Sequence, residues 1–403
     1  MVNRSVVLRY YAYQVTNAAG FYLPISLLYL QDKGFDLFFI GLSGAVFNFA
    51  FLTVEIPAGY IGDRLGRRTS LAISSALRGG AMVAYAFVDS AAAFVVLWAI
   101  WAAGQTFRSG TLTAWLYEFL SDTGEEAAYP RIEGRGRTAR LVTSATGALA
   151  GGFLYTIDIR LPFLVNAALA FVGLPLLITL PAVGTEGGDS ELFTVRDAVS
   201  MLRLQAGRSD IRWFVLYLAL FWGIFQVSRN FTQPAVTAVG LPVASLGVLY
   251  AGFQLLGAGT ASMSGWIESR LGLRRFFGLL VPVFAIAYGS IAAFPLAVVP
   301  VLFLYRGSMN LIIPLRNTYL NDRLEKVGRA TVLSGAQMVL TLGASIASLI
   351  GGVVADATGS VAVFVIVGVS VTVLAGSLWI AVSPVRSLDG HSSLANEEVT
   401  PTE

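Results

Sequence analysis

The chain has 403 residues, 56% of them hydrophobic and only 13% charged, and a mean hydropathy of +0.71. A soluble protein of this size keeps roughly 25% charged residues, so most of this molecule's exterior faces an apolar medium. The absence of cysteine excludes disulfide and thiol chemistry. The single histidine, His391 in a polar tail, gives no basis for a histidine-based catalytic or metal centre. The net charge of +3 is spread over short loops between apolar runs, which is a membrane-orienting pattern rather than a nucleic-acid groove.

Met1 to Arg9 run directly into apolar sequence without a cleavage-site pattern. Crossing about 30 Å of hydrocarbon takes roughly 20 apolar residues as a helix, and twelve such segments follow in order. The first six are Val7 to Leu30, Phe38 to Ile61, Ser70 to Val88, Ala92 to Leu116, Leu141 to Ile157 and Leu161 to Leu180. The second six are Trp213 to Val239, Val243 to Trp266, Phe276 to Phe294, Ala297 to Leu315, Thr331 to Val354 and Val361 to Val382. The expected fold is therefore an all-α integral membrane protein with twelve transmembrane helices in two six-helix bundles, residues 1–183 and 211–384. A cytoplasmic linker (184–210) joins them, and a disordered acidic tail (385–403) follows. The linker begins Gly- and acid-rich; Val195, Val199, Met201 and Leu202 then fit either a surface-lying amphipathic helix or a plain tether.

Arginine and lysine set the orientation. One set of alternating loops holds Arg64, Arg67, Arg68, Arg131, Arg135, Arg137 and Arg140, then the linker arginines. The same side receives Arg270, Arg274, Arg275, Arg316, Arg323, Lys326 and Arg329, whereas the other side offers little beyond Lys33 and Arg160. That asymmetry predicts cytoplasmic termini in a multi-pass protein of the cell membrane.

The second segment ends in Gly59-Tyr60-Ile61-Gly62-Asp63-Arg64-Leu65-Gly66-Arg67-Arg68, with Leu71 beyond. Gly59 and Gly62, one turn apart, would admit a close neighbouring helix. Asp63 at a membrane boundary needs a cationic or hydrogen-bonding partner, for which Arg67 and a helix N-terminus are candidates. This string resembles the loop signature of the major facilitator superfamily, G-x-L-a-D-r-x-G-R-k-x-x-L, and fills each of its polar and glycine positions. The resemblance implies two parallel halves and a central cavity lined by helices one, four, seven and ten. It also implies a latch in which Asp63 and Arg67 hold the halves together at the start of the eleventh helix, Arg329-Ala330-Thr331. The bland alternative is a static turn with orienting charges.

A decayed copy, Gly265-Trp266-Ile267-Glu268-Ser269-Arg270-Leu271-Gly272-Leu273-Arg274, lies 206 positions later (265 minus 59). Gly151-Gly152 likewise match Gly351-Gly352, as expected of parallel repeats. Ser269 and Leu273 replace the aspartate and an arginine, so no second charged latch is expected. The stretch Gly147 to Gly152 is similar to an antiporter signature but lacks its proline.

Charges inside spans each cost on the order of 2.5 to 3.5 kcal/mol at mid-helix and so point to function. They are Glu55, Arg78, Arg108, Arg229 and Arg306. Arg108 and Arg306 fall on repeat-related spans, and Arg229 has Gln226, Asn230 and Gln233 around it at one-turn spacing. Converging, the three arginines would bind carboxylate or phosphate through forked hydrogen bonds. Alternatively, Arg229 and Arg306 snorkel outward and Arg108 is a structural partner. Glu55 either carries a coupling proton or forms a static ion pair with Arg78 or Arg108. Asn17, Tyr22, Trp115, Trp222, Tyr250 and Asn310 are further cavity candidates.

The expected function is secondary active transport of a small solute, anionic rather than cationic, by a monomer in membrane lipid, with no cofactor, enzymatic activity or nucleic-acid partner. Export of amphipathic drugs is the alternative, disfavoured because arginines outnumber acids in the spans. A non-transporting sensor is the reading from another class.

Overall fold

The computed structural model describes residues 3–183, 209–261, 263–323 and 329–385. All regular structure among the described residues is helical, arranged as twelve spans in two bundles of six. The expected linker helix at Val195 to Gln205 and the acidic tail beyond Val385 lie outside the described residues.

In the first bundle, span two is Leu37–Leu65, span three Arg67–Phe87, span five Tyr129–Ile157 and span six Leu161–Ile178. Span one is interrupted: helix Arg4–Thr16, irregular backbone over residues 17–27, then Leu28–Asp32. Span four breaks at Gly110 (φ 75°) into Ala91–Arg108 and Thr111–Asp122. In the second bundle, span seven is the continuous helix Ser209–Ala238 and span eight begins as Ala244–Ala261. The helix Ser264–Ala293 then bends at Gly272 into span nine, followed by spans Val298–Asn321, Arg329–Thr358 and Ala362–Val382.

Eight of these spans are long and apolar enough to cross a membrane by composition alone. The other four, spans one, three, five and eight, are broken, shorter or carry polar residues turned inward. Span three buries Ser70, Ser74, Ser75 and Arg78 on its inner face, so its polarity never meets lipid.

Three expected boundaries move. Span five starts at Tyr129, not Leu141, so Arg131, Arg135, Arg137 and Arg140 ride on a helix rather than in a loop. Span ten runs on to Asn321, which makes Arg316 a buried helical residue whose guanidinium donates to Gln337 and Asn317. Span nine starts directly after Gly272 rather than at Phe276. In each case charge ended the apolar pattern before it ended the helix.

The internal repeat is carried by backbone. Gly66 (φ 81°, ψ 157°) turns span two into span three, and Gly272 (φ 69°, ψ 156°) turns span eight into span nine. The two are 206 residues apart (272 minus 66), the same offset as the motif copies. Only glycine enters this region without strain, so the turn persists where the charges have decayed.

The unwound part of span one would expose backbone polar groups inside the membrane, a cost of several kcal/mol each if unmet. Neighbouring side chains meet them. Asn166 donates to Ala18 O at 3.0 Å, and Ala19 N donates to Ser144 Oγ at 3.3 Å. Gln233 of span seven accepts from Leu27 N (2.7 Å) and Leu28 N (3.0 Å) and donates to Leu23 O (2.8 Å). Gly20 and Gly151 leave no room for a Cβ, so span one lies backbone against backbone on span five.

Besides the Gln233 contacts, the halves meet most closely at two crossings, span two on span eleven and span five on span eight. A Cβ on Gly41 would stand 2.5 Å from Ser348 O and 2.6 Å from Gly352 Cα. A Cβ on Gly247 would stand 2.5 Å from Ala148 O, with Gly152 alongside. The crossings are copies of one another: Gly41 maps to Gly247 (41 plus 206), and Ala148 and Gly152 map to Ser348 and Gly352 (148 and 152 plus 200). Both lie at the end of the molecule away from the Gly59–Arg68 motif.

Candidate functional site: a central cavity and the loop motif

Between the halves is a cavity of about 280 Å³. Its walls differ. The first half contributes Tyr22, Phe47, Tyr85, Trp98 and Trp101, with Gln105, Ser26 and Ser43 between them. Trp101 meets Tyr22 edge-on at 5.0 Å and Phe47 edge-on at 5.7 Å between ring centroids. The second half contributes Arg229, Asn230, Gln233, Tyr250 and Arg306. Among the described residues, no carboxylate lines the cavity.

Two of the three expected arginines therefore reach it. Arg229 is exposed although span seven is otherwise buried around it, and it has no hydrogen bond or ion pair among the described residues. Its exposure is to the cavity, not to lipid. The Arg306 guanidinium carbon lies 5.1 Å from the Phe253 and Tyr305 rings and 5.9 Å from that of Tyr250. Its Nε is buried with no hydrogen-bond partner. Rings on several sides hold the cation without neutralising it. Arg108 is not on this wall; its fork donates to Gln105 Oε1 at 3.1 and 3.3 Å, and Gln105 lines the cavity in its place.

Of the amides around Arg229, Gln233 and Asn230 line the cavity while Gln226 lies behind. Gln226 donates to Asn230 (3.0 Å), Asn230 to Ser348 Oγ (2.6 Å), and Ser348 to Gly41 O (2.6 Å). This chain of hydrogen bonds runs from span seven through span eleven to span two and so ties the halves together.

Other candidates are structural. Arg78 is 6% exposed and donates to Asn17 Oδ1 at 2.6 Å, fixing the residue that ends the first helix of span one. Trp115 is buried between Tyr10 and Phe119 and donates to Pro181 O. Asn310 donates to Arg306 O, and Trp222 lies under the Arg316 guanidinium. Tyr22 and Tyr250 do reach the cavity. Glu55 is exposed, eleven residues from Gly44 and so about 17 Å toward the motif end on the same helix face. It has no ion pair with Arg78 or Arg108.

In the motif, Arg67 pairs with Glu118 of span four at 3.2 Å, within its own half. Glu118 is a partner that sequence reasoning missed, although it is the only acid between Ala91 and Ser121. Arg68 donates to Leu180 O at 3.2 Å and Arg64 packs over Tyr60 at 4.3 Å. Gly62 faces Ser70, where a Cβ would be 3.1 Å from Oγ, but Gly59 has no described atom within 4 Å of a Cβ. Among the described residues, therefore, no helix lies against Gly59 in this conformation. The side chains of Asp63 and of Arg329, Ala330 and Thr331 lie outside the described residues.

Two six-helix bundles related by an internal repeat, enclosing a cavity that neither completes alone, define an all-α polytopic membrane protein. The sequence profile of the Major Facilitator Superfamily matches residues 11–335, and the chain belongs to that family. It is 29% identical over 249 residues to the uncharacterised MFS-type transporter YxaM of Bacillus subtilis, covering 59% of this chain. The match takes in 61% of that relative's length, so the chain spans about three-fifths of it. A second uncharacterised MFS-type transporter, from Methanocaldococcus jannaschii, is 26% identical over 33% of this chain and 32% of its own. Among solved structures, a variant of the nucleoside transporter NupG superposes with a TM-score of 0.80 at 14% identity, covering 93% of this chain and 99% of that one. A D-xylose–proton symporter superposes with a TM-score of 0.63 at 15% identity, covering 92% and 95%. At these identities the likeness concerns the fold alone.

Proposed function

We propose that this protein is a secondary transporter that moves a small anionic solute across the cell membrane by alternating access, as a monomer. The observation that carries the reading is the pair Arg229 and Arg306, two guanidinium groups facing one cavity with no carboxylate among its described lining residues. Two unneutralised cations in a site of low dielectric favour an anion there strongly and disfavour a cation. The alternative of drug-cation export gains nothing from such a lining.

The motif end is read as cytoplasmic. The opposite end supports this because its two cations are spoken for: Lys33 pairs with Asp89, whose carboxyl it holds below the ordinary range, and Arg160 stacks on Phe87 at 5.4 Å. With both glycine crossings closed at that opposite end, the conformation is inward-facing. The domain division at residues 184–210 and the latch role of Asp63 and Arg67 belong to the same proposal. Asp63 and Arg67 would act in the outward-facing state, when Gly59 and Gly62 have a helix against them.

Uptake into proteoliposomes tests the reading. Arg229→Gln removes a charge-assisted hydrogen bond, so transport of an anionic solute should fall about tenfold or more. Undiminished anion transport, or transport restricted to lipophilic cations, overturns it. Glu55 is our candidate for a coupling proton, as the exposed acid on the face of span two that leads to the cavity. Glu55→Gln should leave exchange intact and abolish accumulation driven by a pH gradient; unchanged accumulation removes Glu55 from the proton path.

A further inference from the structure

The two walls of the cavity divide the work of recognition between the halves. The second half supplies positive charge through Arg229 and Arg306. The first half supplies flat aromatic surface through Phe47, Trp98 and Trp101, with no charged side chain among its lining residues. We infer that the solute is a planar aromatic anion, its carboxylate on Arg229 and Arg306 and its ring against Trp101 and Phe47. This inference rests on the anionic reading above and narrows it.

The observations converge from three directions. The cavity, at about 280 Å³, lies at the lower limit of ordinary ligand pockets, a scale that matches a single-ring compound. Phe253, Tyr305 and Tyr250 already crowd Arg306, their rings 5.1 to 5.9 Å from the guanidinium carbon. The guanidinium carries its donors along its edge, and donors in that plane match a carboxylate. A ring on the solute must therefore rest elsewhere. Trp101 and Phe47, in edge-to-face contact with each other, form a corner in which a third ring finds both a face and an edge. A molecule with both parts touches both halves at once, whereas an anion without a ring touches only the second.

The test is thermal unfolding of the full-length protein in detergent with four probes of similar size: benzoate, cyclohexanecarboxylate, benzyl alcohol and benzylamine. A probe that binds the folded state raises the unfolding temperature in proportion to its occupancy. Benzoate should stabilise at a concentration about tenfold or more below that of cyclohexanecarboxylate, the scale of aromatic stacking on a side chain. Trp101→Leu and Phe47→Leu should each remove that preference, bringing benzoate to the affinity of cyclohexanecarboxylate measured in the same variant. Arg229→Gln should remove stabilisation by both carboxylates. Unfolding without probe, run on every variant, separates lost binding from lost folding. Equal affinity for the two carboxylates overturns the aromatic inference and leaves the anionic reading standing. Stabilisation by benzyl alcohol equal to that by benzoate, by benzylamine alone, or by neither carboxylate overturns both.

Discussion

Gly247→Val is expected to reduce transport about a hundredfold, and Gly41→Val to match it, while both variants still fold. A Cβ at either position would stand 2.5 Å from a carbonyl oxygen of the opposite half, Ala148 O for Gly247 and Ser348 O for Gly41. No rotamer relieves a clash between a Cβ and backbone. Overpacking of this kind costs about 1 to 3 kcal/mol, which is a factor of roughly ten to a hundred in an equilibrium. The clash is between halves, so the molecule escapes it by parting them at this end rather than by unfolding. The variants should therefore accumulate in the conformation open at the end away from the motif. The native chain has no cysteine, so spin labels at Ala92→Cys and Leu296→Cys, both at that end, report the separation directly. A longer label distance with a nearly unchanged unfolding temperature is the expected result. Gly368→Ala is the control, because its clash is with Tyr288 inside one half; it should lower stability and leave the label distance alone. An unaltered distance in Gly247→Val would mean that this crossing is not a gate.

Gln233→Leu should be nearly as severe, for a different reason. One side chain from span seven satisfies Leu27 N, Leu28 N and Leu23 O in the unwound part of span one, and it also donates to Tyr250 OH at 3.1 Å. Leucine leaves three backbone groups without partners at about 1 to 3 kcal/mol each while they stay buried. Opening this end lets water reach them, so the penalty falls on the closed state alone. The label pair should again report separation, and transport should fall on the order of a hundredfold. Gln233→Glu keeps an acceptor for Leu27 and Leu28 and should recover part of the loss. Equal defects in the two variants would indicate that Gln233 acts on solute rather than on span one.

The twelve spans and the motif were legible because both are written in features with little degeneracy. Apolar length has one reading in a membrane, and the motif stands at a defined place in the count. The glycine pairs at 151–152 and 351–352 were also legible as a repeat. Their partners Gly41 and Gly247 were within reach, since the motif's own offset of 206 converts one into the other. Of the aromatic wall, only Tyr22 was legible. Trp98 and Trp101 sit in an apolar run where aromatic residues are abundant, and nothing local distinguishes a ring facing solute from a ring facing lipid. Arg108 misled because sequence gives depth in a span but not direction; three residues earlier, Gln105 takes the cavity position. Arg316 stands just past an apolar run, and its charge hides the continuation of that helix to Asn321. Glu118 was missed because its partner Arg67 is 51 residues away and no local spacing links them.

Spans one and seven are repeat mates, yet only span one is unwound, with residues 17–27 irregular where Ser209–Ala238 is continuous. The two members thus keep their shape by different means. Span seven is held by its own helical hydrogen bonds, and residues 17–27 by side chains lent from their neighbours, Asn166 and Ser144 in the first half and Gln233 in the second. Part of what shapes the first half is therefore on loan from the other half, and it is returned whenever the two come apart.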